Sequence, residues 1–203
     1  MHPETNGNGH FSGALLSLAG ADHAAQVSLS TITESLGSST IGSLLLFFAL
    51  PMVLPIPAPG ISVLFGVPLI LISGQLLFGR RSLWLPPRLA NRTISRSDLE
   101  NYVRRALPAI QKFETMARPR FAGMTRGLGL RAVGAMCLTL ALIIALPIPF
   151  GHLVPGIAIS AMALGLIERD GLAVFLGHLI GGIAIVVVTF ATIGLVGAGQ
   201  SLF

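Results

Sequence analysis

The residues best placed to do chemistry are few. Glu168, Arg169 and Asp170, followed by Gly171, form a charged run between two apolar blocks. Charges in that position solvate a turn, pair with a distant opposite charge, or face a polar cavity as proton or substrate groups. The second role fits Glu168 or Asp170 with an arginine of the basic segment described below. His152 lies inside a proline-rich break and Gln75 inside an apolar block. Either side chain suits the wall of a pathway, or a hydrogen bond to interrupted backbone. The five histidines, at 2, 10, 23, 152 and 178, are too scattered for a metal site. No hydrolytic triad or phosphate-cradling glycine loop is present either. The expectation is therefore no catalytic, cofactor-binding or metal-binding residue, and a protein that is not an enzyme.

The elements that must position these residues are membrane helices. Of 203 residues 53% are hydrophobic and 10% charged, and the mean hydropathy is +0.81, well outside the globular norm. Apolar residues run in blocks, 41–54, 61–78, 132–146, 153–167 and 172–196, almost free of charge. Continuous runs such as Leu44 to Leu50 lack the alternation of a membrane β-strand, so the fold class is all-α integral membrane. Cys137 falls inside a block as space-filler.

Twelve of the thirteen Lys and Arg residues lie between Arg80 and Arg131, opposed there only by Asp98, Glu100 and Glu114. This basic segment, 79–127, includes Arg80, Arg81, Arg104, Arg105, Arg118 and Arg120. Flanked by membrane blocks, it belongs on the cytoplasmic side, against anionic lipid headgroups. With no recognition motif, nucleic acid is excluded as a partner.

Two proline-rich breaks share a pattern. The first contains Pro55, Pro57, Pro59 and Gly60; the second contains Pro147, Pro149, Pro155 and Gly156. Both begin Leu-Pro-Ile-Pro and end Pro-Gly-Ile, the second with four more residues between, which reads as an internal duplication with a small insertion. Proline ends one helix and lets another begin, so two helical hairpins are expected, 39–78 and 128–167, followed by a final helix over 172–197. Their short arms favour re-entry over full crossing. Residues 1–25 read as a flexible tail ahead of a single membrane domain, 26–203.

Within the basic segment, serines ahead of Asp98 and Glu100 mark a helix start, and Leu99, Val103, Leu107, Ile110 and Phe113 recur at helical spacing. That predicts an amphipathic helix that absorbs Pro108. It lies either along the headgroups, with Trp84 and Tyr102 as anchors, or on the protein's own cytoplasmic face. Gly177, Gly181 and Gly182, with Ala173 and Ala184, suit close helix packing or homodimerisation.

Taken in order, Leu-Pro-Ile-Pro with Pro-Gly, Leu83-Trp84-Leu85-Pro86, Glu114 with Arg118-Pro119-Arg120, and Glu168-Arg169-Asp170-Gly171 resemble the bacterial ExoD exopolysaccharide synthesis family. The resemblance covers roughly residues 30 to 200. It implies a multi-pass inner-membrane protein linked to exopolysaccharide production, with loss of a member affecting alkali tolerance. At 152 the family pattern has Asn where this chain has His. The expected function is a small transporter or channel-like component of polysaccharide synthesis or export. The alternative is a non-catalytic scaffold that recruits synthesis enzymes or anionic lipids.

Overall fold

The computed structural model describes residues 12–13, 15–16, 26–32, 41–53, 61–79, 86–145 and 151–200. Among these the fold is all-α apart from one two-stranded ribbon. The elements in chain order are β1 (Gln26–Ser28), α1 (Ile41–Val53), α2 (Ile61–Leu77), α3 (Pro87–Ala90), β2 (Thr93–Ser95), α4 (Arg96–Met116), a 3-10 turn (Ala122–Thr125), α5 (Gly127–Ala145), α6 (Leu153–Ile167) and α7 (Gly171–Gln200). Of the expected breaks, Pro55, Pro57, Pro59, Gly60, Pro147 and Pro149 lie outside the described residues, as do Arg80, Arg81 and Trp84.

Four helices form the centre. α1 packs against α6, α2 against α5, and α7 lies along α6. α1 is apolar all round and buried from Gly42 to Met52, as such a helix must be. Phe47 and Phe48 meet edge to face with ring centroids 5.3 Å apart, and Phe48 leans on Phe65 of α2 at 6.1 Å. Gly127–Ala145 and Gly171–Thr192 are long and apolar enough to cross a membrane; Ile41–Val53, Phe65–Leu77 and Leu153–Ile167 are shorter.

Pro155 and Gly156 do not lie between helices. They occupy the first turn of α6, where a proline gives up no intrahelical bond. The other members of the Pro-Gly-Ile match, Pro59 and Gly60, lie outside the described residues.

The N-terminal residues are anchored in places. The Ser12 amide and hydroxyl donate to the Glu114 carboxylate at 2.9 and 2.7 Å, and Leu15 is fully buried. β1 pairs antiparallel with β2, Val27 opposite Ile94, an element too short to show in the sequence pattern.

Small residues on α7 divide by face. A Cβ at Gly177 would lie 2.9 Å from the Met162 backbone nitrogen, and one at Gly181 would lie 3.1 Å from Leu140, while Gly182 has open space. Ala173 and Ala184 are buried. Gly177→Ala is expected to lower stability by about 1 kcal/mol, an overpacking cost partly offset by helix propensity. Gly182→Ala is expected to raise it by up to about 1 kcal/mol. Thermal unfolding in mild detergent checks both signs.

Candidate functional site

The charged run turns a helix and anchors a loop. α6 ends in a Schellman arrangement: Glu168 is the cap, with its N–H donating to Leu164 O at 3.0 Å, and the Asp170 N–H reaches back to Gly165 O at 2.8 Å. The geometry forces Arg169 into the left-handed region at φ 54°, where glycine is the usual occupant. Its side chain is exposed.

Asp170 then starts α7. Its Oδ1 accepts from the Leu172 N–H at 3.0 Å, an N-cap bond. Its Oδ2 accepts from the Arg118 N–H at 3.2 Å and stands 3.8 Å from Arg120 Nε. The backbone joins too, with the Gly171 N–H donating to Arg120 O at 2.8 Å in a parallel bridge. Asp170 is 4% exposed. A Cβ at position 171 would sit 2.5 Å from Phe121 O, so only glycine fits. Two motifs some fifty residues apart, Arg118-Pro119-Arg120 and Glu168-Arg169-Asp170-Gly171, thus meet as one clasp.

The remaining candidates do not join it. His152 is half-buried just ahead of α6, a full helix length from Asp170, about 22 Å at 1.5 Å per residue. Gln75 is half-buried near the end of α2. Arg104 and Arg105 lie on the exposed face of α4. Among the described residues no group of three His, Cys, Asp or Glu side chains could hold a metal ion.

A second focus escaped the sequence pattern. α4 starts where its serines indicate, Ser95 Oγ accepting from the Asp98 N–H at 3.2 Å, and Pro108 is absorbed. Its buried face is Leu99, Tyr102, Val103, Ala106 and Ile110, so Tyr102 packs into the protein and is no headgroup anchor. The Tyr102 hydroxyl donates to Phe47 O in α1, and its ring sits edge-on to Phe47 at 5.7 Å. Pro51 lies inside α1. Having no N–H, it leaves the carbonyl four residues back, that of Phe47, without its helical donor. Tyr102 supplies the missing one. The signal was available as a proline within an apolar helix, although sequence does not say which side chain answers it.

Comparison with known proteins is consistent with these motifs. A family model described as exopolysaccharide synthesis, ExoD, matches residues 11–190. The chain is 34% identical over 139 residues to an uncharacterized protein of Synechocystis sp., covering 68% of this chain and 66% of that protein. It is 31% identical over 137 residues to Protein ExoD of Rhizobium meliloti, covering 66% of this chain and 57% of that protein. It therefore spans less than two thirds of the length of either relative. No solved structure matches it. The chain belongs to the ExoD exopolysaccharide synthesis family.

Proposed function

We infer that this chain is a multi-pass protein of the bacterial cytoplasmic membrane that acts, without catalysis, as a small transporter or channel-like component of exopolysaccharide synthesis or export. The observation that carries this reading is a pair of hairpins whose contacts exchange. At an offset of 92 residues, Gly42, Leu46, Ala49, Leu50 and Leu-Pro-Ile-Pro from Leu54 recur as Gly134, Leu138, Ala141, Leu142 and Leu-Pro-Ile-Pro from Leu146.

The packing is crossed in the same sense, the first helix of each pair keeping the 92-residue offset while the partner positions on the second are 90 residues apart. Gly42 lies against Leu166 and Ile167 at the end of α6, and Gly134 lies against Leu76 and Leu77 at the end of α2. At the other end Gly156 meets Met52, and Gly66 meets Ile144. Met52 and Ile144 are themselves 92 apart. Paired repeats with interrupted helices are a device by which transporters build a path at the repeat interface. α5 rises about 28 Å over its 19 residues, close to a hydrocarbon core of about 30 Å. A helix of that length starting beside the basic segment on the cytoplasmic side runs towards the far face.

The outward face of α7, Leu172, Phe175, Leu176, Leu179, Ile183, Val186, Val187 and Phe190, is exposed and predominantly apolar, the hydroxyls of exposed Thr189 and Thr192 being satisfied by Ile185 O and Val188 O. Lipid is the natural cover for it. A homodimer through α7 would use the open side at Gly182, since Gly177 and Gly181 face this chain's own helices.

A scaffold role is the second reading, favoured by α4. Its apolar face is occupied by the protein, leaving Arg104, Arg105 and Lys112 outward, positioned for synthesis enzymes. Secreted polysaccharide in a complemented deletion strain separates the two. Transport predicts that Gln75→Leu or His152→Leu abolishes output with the protein still in the membrane, and that the triple change Arg104→Gln, Arg105→Gln, Lys112→Gln leaves output intact. The opposite pattern favours the scaffold.

A further inference from the structure

Where this molecule meets the lipid headgroups is a question that α4 does not answer, because its apolar face is spent inside. The connection that follows it is different. Met116, Phe121 and Leu128 are 66%, 71% and 81% exposed. Met116 closes α4, Leu128 opens α5 and Phe121 lies between, and among the described residues nothing covers these large apolar side chains.

Arg118, Arg120, Arg126 and Arg131 alternate with them, all exposed, and no acidic residue occurs from 116 to 131. Phe121 also holds a left-handed backbone at φ 51°, unfavourable for a side chain that bulky. The clasp imposes it: Phe121 O and Cβ pack against Gly171, next to the Gly171 to Arg120 hydrogen bond. The strained residue therefore points its ring outward from a fixed support.

Depth follows from the same contacts. α5 begins at Gly127 and α7 at Gly171, beside this segment, and the exposed apolar faces of the two helices start at Leu128 and Leu172. The segment is pinned at the level where the lipid-facing surface begins. Phe78, exposed at the end of α2, adjoins Gly79, against which the Arg131 guanidinium rests.

We propose that residues 116–131 are the membrane-interface anchor, with Met116, Phe121 and Leu128 entering the boundary between headgroups and acyl chains and the four arginines binding the phosphates of anionic lipids. This rests on the membrane reading above. Apolar wedges set among cations are the pattern of a surface-seeking segment. Fixed on two helix starts, they set the vertical position of the whole bundle.

The test uses the full chain with Trp84→Phe, so that one introduced tryptophan reports alone, in phosphatidylcholine vesicles with and without phosphatidylglycerol. Phe121→Trp is compared with Phe175→Trp on the outer face of α7. The anchor predicts blue-shifted emission from the Phe121→Trp protein, quenched by lipids brominated near the headgroup, and quenched roughly threefold more by brominated phosphatidylglycerol than by brominated phosphatidylcholine. Adding Arg118→Gln and Arg126→Gln should lower that preference while the indole at position 121 stays inserted. If the Phe175→Trp protein is quenched while the Phe121→Trp protein emits as in water, or if the latter shows no preference for the anionic lipid, the anchor is overturned and the membrane reading stands. If neither tryptophan is quenched, the membrane reading itself falls.

Discussion

Asp170→Ala is expected to destabilise the protein by about 2–3 kcal/mol, a loss far larger than any from Arg120→Ala. The asymmetry follows from what the carboxylate does. Its two oxygens accept from the Leu172 and Arg118 backbone N–H groups, while the Arg120 guanidinium, with a side chain 43% exposed, stands at 3.8 Å. A half-exposed ion pair at that distance is worth about 0–1 kcal/mol. Losing an N-cap costs about 1 kcal/mol, and stranding a partly buried N–H costs about as much again or more. Asp170→Asn should fall between, since one oxygen remains to accept. Unfolding midpoints of the three variants in detergent check the order. Equal losses in Asp170→Ala and Arg120→Ala would mean that the ion pair, rather than the backbone, holds the turn.

Tyr102→Phe should cost about 2 kcal/mol, because it leaves the Phe47 carbonyl without a donor in a buried, apolar setting. The same change made on Pro51→Ala should cost much less, since residue 51 then supplies the N–H that the helix normally provides. A double-mutant cycle isolates this coupling. Additive losses would show that Tyr102 acts only through ring packing on Phe47.

The hydroxyl also carries a pH signature. Burial pushes the Tyr102 hydroxyl well above its ordinary 10.0. A folded value above the unfolded one gives stability that is fully present below about pH 10 and lost as pH climbs toward the folded value. Tyr102 is the single tyrosine of the chain, so phenolate absorbance during alkaline titration reports it alone. In Tyr102→Phe the part of the alkaline decline due to this group should vanish.

Much of this was legible in the residues themselves. The start of α4 at Ser95 and the small-residue face at Gly177 each follow from a local rule. Features needing a partner from elsewhere were not. Pro51 announces an orphaned carbonyl, yet only the fold brings Tyr102 from α4 to meet it. Asp170 had twelve arginines and lysines of the basic segment to choose from, and its main partners proved to be backbone amides, which sequence does not display. The αL position at 169 went unseen because an arginine occupies it. Pro155 and Gly156 read as part of a break yet begin a helix, since proline is as welcome inside the first helical turn as before it.

Cysteine accessibility in intact cells tests the paired-hairpin membrane arrangement most directly. Cys137 is replaced by serine, and single cysteines are placed at Ala58, Phe150 and Arg92. The account predicts that positions 58 and 150 behave alike, both on the side opposite position 92, which stays protected from an impermeant reagent applied outside. Labelling of Arg92→Cys from outside, or one break site reacting while its counterpart does not, would contradict it.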